Sequence, residues 1–171
     1  GKIKPYKEQD SPKQTAQEPM MATYHQSAIP MDDFINSIPR DALAEALLFA
    51  LEENKAGHCI SNSQIESMIN ERMDGNVWSK LAYEHFLEIL IYVENNFGML
   101  TAQKTRQKIQ DKVNLLAKHP YIGIIDSDFS TLFNNITVRH LKLSPNVIYY
   151  LIDENRIVIA AMLHSKQSQN F

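Results

Sequence analysis

Three cations toward the end of the chain, Arg139, Lys142 and Lys166, and the nearby His164 are the side chains best suited to chemistry on an anion. Guanidinium and ammonium groups hold phosphate or carboxylate oxygens by charge-assisted hydrogen bonds, so the three cations could form a patch for a phosphate or an acidic partner. The plainer alternative is that they decorate solvated strand faces, where isolated charges contribute little. Histidine titrates near neutral pH and can move a proton; at a strand end its simpler role is a hydrogen bond to a neighbour. Tyr149 and Tyr150 are consecutive in a strand-like segment and point to opposite faces. One is expected in the core, and the other is left to stack or to contact a partner. His58 and Cys59 adjoin, but two ligands without acidic or further histidine neighbours do not make a metal site, so no metal and no cofactor are expected. Cys59 is the single cysteine, which excludes an internal disulfide and suits a small buried hydrophobe.

The elements that must position these groups follow from apolar periodicity. Ser79 can cap a helix with Ala82, Phe86, Ile89, Leu90, Val93 and Phe97 on one side, ended by Gly98. A second helix from Thr101 to about Lys118 turns Ala102, Ile109, Val113 and Leu116 inward and stops at His119-Pro120. Beyond it the period changes from 3.6 to 2, and Ile136–Leu143, Val147–Ile152 and Arg156–Leu163 are expected as a three-stranded antiparallel meander. A helical hairpin on such a sheet is a two-layer α+β unit.

Upstream, Pro30-Met31-Asp32-Asp33 starts a short helical piece closed by Ile38-Pro39. Arg40 to Ala56 then reads as a helix with Leu43, Ala46, Leu47, Ala50 and Leu51 inward and Gly57 as its stop. Ser63 and Glu66 fit a capping box for a further short helix with Ile65, Met68 and Ile69 on one edge. Leu48 and Phe49 widen the first stripe beyond what that short helix can cover, so the following domain is expected to receive it. Residues 1–20 offer little to bury and are expected as a disordered tail, leaving 21–73 as a helical segment and 74–171 as the α+β domain.

Composition sets outer bounds. With 44% apolar and 22% charged residues, the 171-residue chain has the balance of a globular protein. Its longest apolar run, Ile157 to Leu163, is far below the roughly 18–20 residues needed to span a bilayer. Without an apolar leader after the lysine-rich start, a cytoplasmic location is expected. Residues 1–72 carry 7 Lys+Arg against 11 Asp+Glu and residues 73–171 carry 10 against 9. The resulting charges, −4 and +1, permit mutual neutralisation but do not make a nucleic-acid-binding face.

From Trp78 onward the chain resembles the RelE/ParE toxin superfamily, in particular its ParE-like, plasmid-stabilisation type. The likeness is carried by Trp78-Ser79 with Ala82, Ile91-Tyr92-Val93-Glu94 with Gly98, and Leu116, Pro120 and Gly123. It continues through Arg139-His140-Leu141, Ile148-Tyr149-Tyr150-Leu151 and Ile157-Val158-Ile159 to Leu163-His164. The helix ending at Gly57, with Ile60-Ser61 and the short helix after it, is similar to the C-terminal half of small bacterial antitoxins. Met20-Met21 and Met73 stand where a separate antitoxin and a separate toxin would start. The combined resemblance implies a bacterial toxin fused to its neutralising antitoxin segment, with Leu43, Leu47, Leu48, Ile65, Met68, Ile69 and Tyr149 as partner-binding residues.

RelE-like relatives cleave ribosome-bound mRNA with arginine and lysine on the phosphate and an acid/base group at the ribose, whereas ParE-like relatives poison DNA gyrase without being enzymes. On the RelE pattern His164, Arg139, Lys142 and Lys166 would be catalytic, His164 as general acid or base. Asn146 stands where that pattern has arginine, Gln167 reduces its Lys-Arg pair to one cation, and its C-terminal tyrosine would lie beyond Phe171. The ParE pattern fits these losses better, although His164-Ser165-Lys166-Gln167 departs from its usual His-Gly-Arg-Arg ending. The alternatives are an mRNA interferase, or a degenerate member that binds a partner or dimerises by helix exchange.

Overall fold

The computed structural model describes residues 30–66, 76–130, 133 and 136–165. The expected tail at 1–20, the expected boundary at 73/74, and Met68, Ile69 and Lys166 lie outside them. In chain order the elements are α1 (Met31–Ser37), α2 (Arg40–Ala56), β1 (Ile60–Ser61), α3 (Asn62–Glu66), β2 (Asn76–Trp78), α4 (Lys80–Phe97) and α5 (Met99–Lys118). They continue with β3 (Ile124–Ile125), α6 (Ser127–Ser130), β4 (Thr137–Leu143), β5 (Asn146–Asp153) and β6 (Arg156–His164). None of the described helices is long and apolar enough to cross a membrane.

The expected meander is present as β4, β5 and β6, but it is the middle of a six-stranded sheet with the order β1-β2-β6-β5-β4-β3. Strand β2 runs parallel to β6, and the other neighbours are antiparallel. Local signals form the hairpin as the sequence requires. The Ser79 hydroxyl accepts the Ala82 amide at 3.0 Å, Gly98 turns the chain at φ 96°, and α5 stops before Pro120. Helix α2 ends on Gly57 in the left-handed conformation, with the His58 amide closing on the Glu53 carbonyl at 2.9 Å. The expected Ser63/Glu66 cap forms two residues earlier. The Ser61 amide donates to Gln64 Oε1 at 3.1 Å, and the Gln64 amide donates to Ser61 Oγ at 3.3 Å.

The expected hairpin-on-sheet unit is present, and the upstream helices pack on its other face as a third layer. On one face α4 and α5 bury Trp78, Phe86, Ile89, Ile109, Val113 and Leu116 against Ile148, Tyr150, Ile159 and Met162. On the other, α1 and α2 bury Phe34, Ile35, Ile38, Leu43, Leu47 and Leu51 against Val138, Val147, Tyr149, Leu151, Val158 and Leu163. With both faces covered, Tyr149 and Tyr150 are each fully buried, so neither is left free to stack outside. Between β5 and β6 the pairing steps from Tyr149↔Ala161 to Tyr150↔Ile159, and the extra residue Ala160 forms a bulge. A bulge places two successive side chains on one face, and here both are alanines beneath α2. Ala50 on α2 is likewise fully buried, and these small side chains permit close approach of helix and sheet.

Candidate functional site

The face covered by α1 and α2 is where titratable groups converge. Strand alternation turns Val138, His140 and Lys142 of β4 toward those helices, and pairing sets His140 beside Tyr149 of β5, with ring centroids 5.5 Å apart. Arg40, the first residue of α2, reaches across from the cover. Its Nη1 lies 3.3 Å from Asp126 and 3.6 Å from Asp128, and its Nη2 donates to the Ile35 carbonyl at 3.0 Å. The same guanidinium sits 5.3 Å over the Phe129 ring. One arginine therefore ties α1, α2 and the β3–α6 region together.

Asp32 of α1 pairs with Lys142, and at the other end of α2 Asn54 donates to Asp153 at 3.0 Å with Lys55 at 3.7 Å. The cover is thus apolar along its middle and charged at both ends. The segment after it continues around the sheet edge. Ile60 and Ser61 pair with Trp78 and Val77, and Asn62 donates to Asn114 and accepts from the Trp78 indole, both at 2.9 Å. Residues 31–66 consequently touch one face, one edge and the helical hairpin on the other side.

Burial shapes the chemistry of this face. It pushes the Tyr149 hydroxyl up to about 12, with Asp126 adding to the effect and Arg40 opposing it. Arg40 stands close to this hydroxyl, but no hydrogen bond of good geometry reaches it. Burial also holds His140 below the ordinary histidine value, while Asp126 pulls the other way. The hydrogen bond from Lys142 lowers Asp32. Cys59, half-buried, is raised to about 11 by burial, so its thiol is protonated at neutral pH.

The residues expected from sequence to act together are distributed differently. Lys142 is on the covered face, whereas Arg139 and His164 are on the hairpin side. Arg139 Nη1 donates to the carbonyls of Tyr121 at 3.0 Å and Gly123 at 2.8 Å, and the group lies 5.1 Å over the Tyr121 ring. His164 is 2% exposed, pairs in register with Asn146 and meets the Tyr92 ring at 5.0 Å. Through β5, Arg139 is level with Tyr150 and His164 with Asn146, four residues apart. At about 3.3 Å per residue this is roughly 13 Å along the strand, too far for one bond-breaking centre. The structure therefore does not assemble Arg139, Lys142 and His164 into one site.

Of the expected partner-binding residues, Leu43, Leu47 and Tyr149 meet in one buried interface, while Ile65 is half-buried on the hairpin side. Leu48 is 44% exposed and faces away, because the α2 stripe that meets the sheet is narrower than the run of apolar residues. Sequence reasoning did not single out His140, Asp126, Arg40 or Asp32. The period-2 pattern of β4 was the one available signal, since it already put His140 and Lys142 on the same side. Among the described residues no group of three or more His, Cys, Asp and Glu side chains could hold a metal ion.

The family model of the ParE toxin of the type II toxin–antitoxin system parDE matches residues 77–169. No curated protein matches the chain significantly. The family match runs from within β2 through the end of β6, including the hairpin and the meander, and covers more than half of the 171 residues. The chain belongs to the ParE toxin family of type II toxin–antitoxin systems.

Proposed function

We propose that this is a ParE-like toxin domain joined to its own neutralising segment, residues 31–66, and that this form is held inactive. The single observation that supports the reading best is the path of that segment: it covers the sheet face opposite the hairpin and adds β1 to the sheet edge. Helix-on-face and strand-on-edge contacts are both standard ways for one chain to grip another. Here they occur within one chain, where a short connection keeps the effective concentration high. The target would be DNA gyrase, reached in the cytoplasm after the cover is released.

A second reading, an mRNA interferase, keeps Lys142 on the covered face. It loses support from the separation of His164 and Arg139 described above. Exchange of α1 and α2 between two copies, giving a dimer with the same contacts, is the third.

Expression of residues 74–171 beside the full chain in a bacterium, with growth, translation and DNA-damage response followed together, tests all three. Growth arrest with the fragment alone and a damage response is the expected result. Prompt mRNA cleavage would instead establish the interferase. Because the fragment exposes an apolar face, a full-length Leu47→Asp variant, which unseats α2, serves as the companion. If the fragment and the variant are both folded and harmless, the toxin reading fails. A concentration-dependent mass of the full chain would favour helix exchange.

A further inference from the structure

We propose that His140 is a proton-operated release for the cover, so that adding a proton to its imidazole weakens the seating of α1 and α2 on the sheet. The biological meaning of this device rests on the inhibitory reading above, but the device itself is a property of the interface.

The geometry carries the inference. His140 is 8% exposed between β4 and the cover, and among the described residues its Nδ1 has no hydrogen-bond partner. The Tyr149 ring beside it is fully buried, with its hydroxyl likewise unpartnered. Groups of both signs face the imidazole. Lys142 comes from β4, Asp32 from α1, Arg40 from α2 and Asp126 from the turn after β3. Asp128 of α6 stands behind Arg40. Each of the two nearer carboxylates is already engaged, Asp32 by Lys142 and Asp126 by Arg40. The imidazolium carries a proton on both ring nitrogens, so protonation leaves Nδ1–H as an unpaired, charged donor next to two cations.

The sign follows from burial, which is the main cause of the lowered His140 value. The covered state binds this proton less tightly than the uncovered state. The contribution of neutral His140 to the cover is complete above the ordinary histidine value of about 6.5 and is lost as pH falls through it toward the lowered value. A single site changes the opening equilibrium by at most about tenfold per pH unit in that window. Asp32 contributes in the same direction only at a lower pH, since its lowered value starts from 3.8. His85, which accepts the Met162 amide at 3.1 Å, and His164 are buried on the opposite face, so a loss of protection there has a different origin from one in the cover.

Site-resolved hydrogen exchange on the full chain at pH 7.5, 6.5 and 5.5, corrected for the intrinsic rate, separates the two. The expected result is that protection of the α2 amides from Leu43 to Leu51 falls by up to about tenfold per pH unit below 6.5, while α5 amides hold. In His140→Gln the step should disappear. Imidazole resonances of the wild-type chain supply a measurement that needs no variant: His140 should titrate with the same midpoint as the α2 amide shifts. Flat α2 protection in the wild type, an undiminished step in His140→Gln, or a His140 titration unlinked to α2 would each overturn the proposal. An acid-opened cover on a chain whose toxin fragment is harmless would sink the inhibitory reading and leave the release intact.

Discussion

The hairpin face and the covered face of the sheet are both closed by helices, yet they are fastened by different physics. On the hairpin side the anchor is Trp78, fully buried, 5.2 Å from the Phe86 ring and bonded through its indole to Asn62. Asn76 adds an uncharged bond to the Val113 carbonyl at 2.7 Å. On the covered side the apolar middle of α2 lies between charged contacts, Arg40 with Asp126 at one end and Lys55 with Asp153 at the other. An interface closed by charges and a titratable side chain can be undone by water and protons. The hairpin side is closed by aromatic packing and uncharged hydrogen bonds, with His85 and His164 buried within it.

The most severe test of that contrast is Trp78→Ala. It removes a large core side chain and takes the indole donor from Asn62 Oδ1, so a loss of about 3–5 kcal/mol in global stability is expected, read by urea denaturation followed by circular dichroism. Both faces should fail together. Leu47→Ala should cost about 2–5 kcal/mol of the interaction that seats α2, with exchange protection lost in α2 and kept in α5. Simultaneous loss in α5 would show that the cover is part of the core after all.

A smaller effect is expected from Tyr150→Phe, whose hydroxyl accepts the Gly123 amide at 2.9 Å and donates to the Pro120 carbonyl at 2.8 Å. Removing both bonds should lower stability by about 1–2 kcal/mol in urea unfolding. Gly123 shows why this corner is tight: a β-carbon there would stand 2.6 Å from the Tyr150 hydroxyl. Least of all should follow from Asp32→Asn, because that side chain is 75% exposed and its ion pair with Lys142 is screened. No change in the thermal midpoint is expected, and a clear drop would mean that the outer end of α1 carries more of the cover than its exposure indicates.

Much of the scaffold was legible in the chain. The switch of apolar spacing from 3.6 to 2 near Pro120, the Ser79 cap, and the stops at Gly57, Gly98 and Pro120 are local signals, and each acts where it stands. The short strands β1, β2 and β3 were not legible. Two or three residues carry no period, and each exists only because a distant partner supplies its hydrogen bonds. The candidate site was legible in part. Leu43, Leu47 and Tyr149 were visible as apolar or amphipathic positions, while Arg139, Lys142 and His164 appeared to form a group only because they are close in the chain or share a charge.

The sequence by itself determined the helical hairpin, the meander and the membership of residues 77–169 in the ParE toxin family, since periodicity and caps are written in adjacent residues. Tertiary structure alone decided that both sheet faces are closed, that β2 runs parallel to β6, and that His140 is buried near Arg40 and Asp32 with its Nδ1 unpaired among the described residues. Which face a helix takes depends on burial summed over contacts far apart in the chain. A side chain's charge state depends on whatever that packing brings beside it.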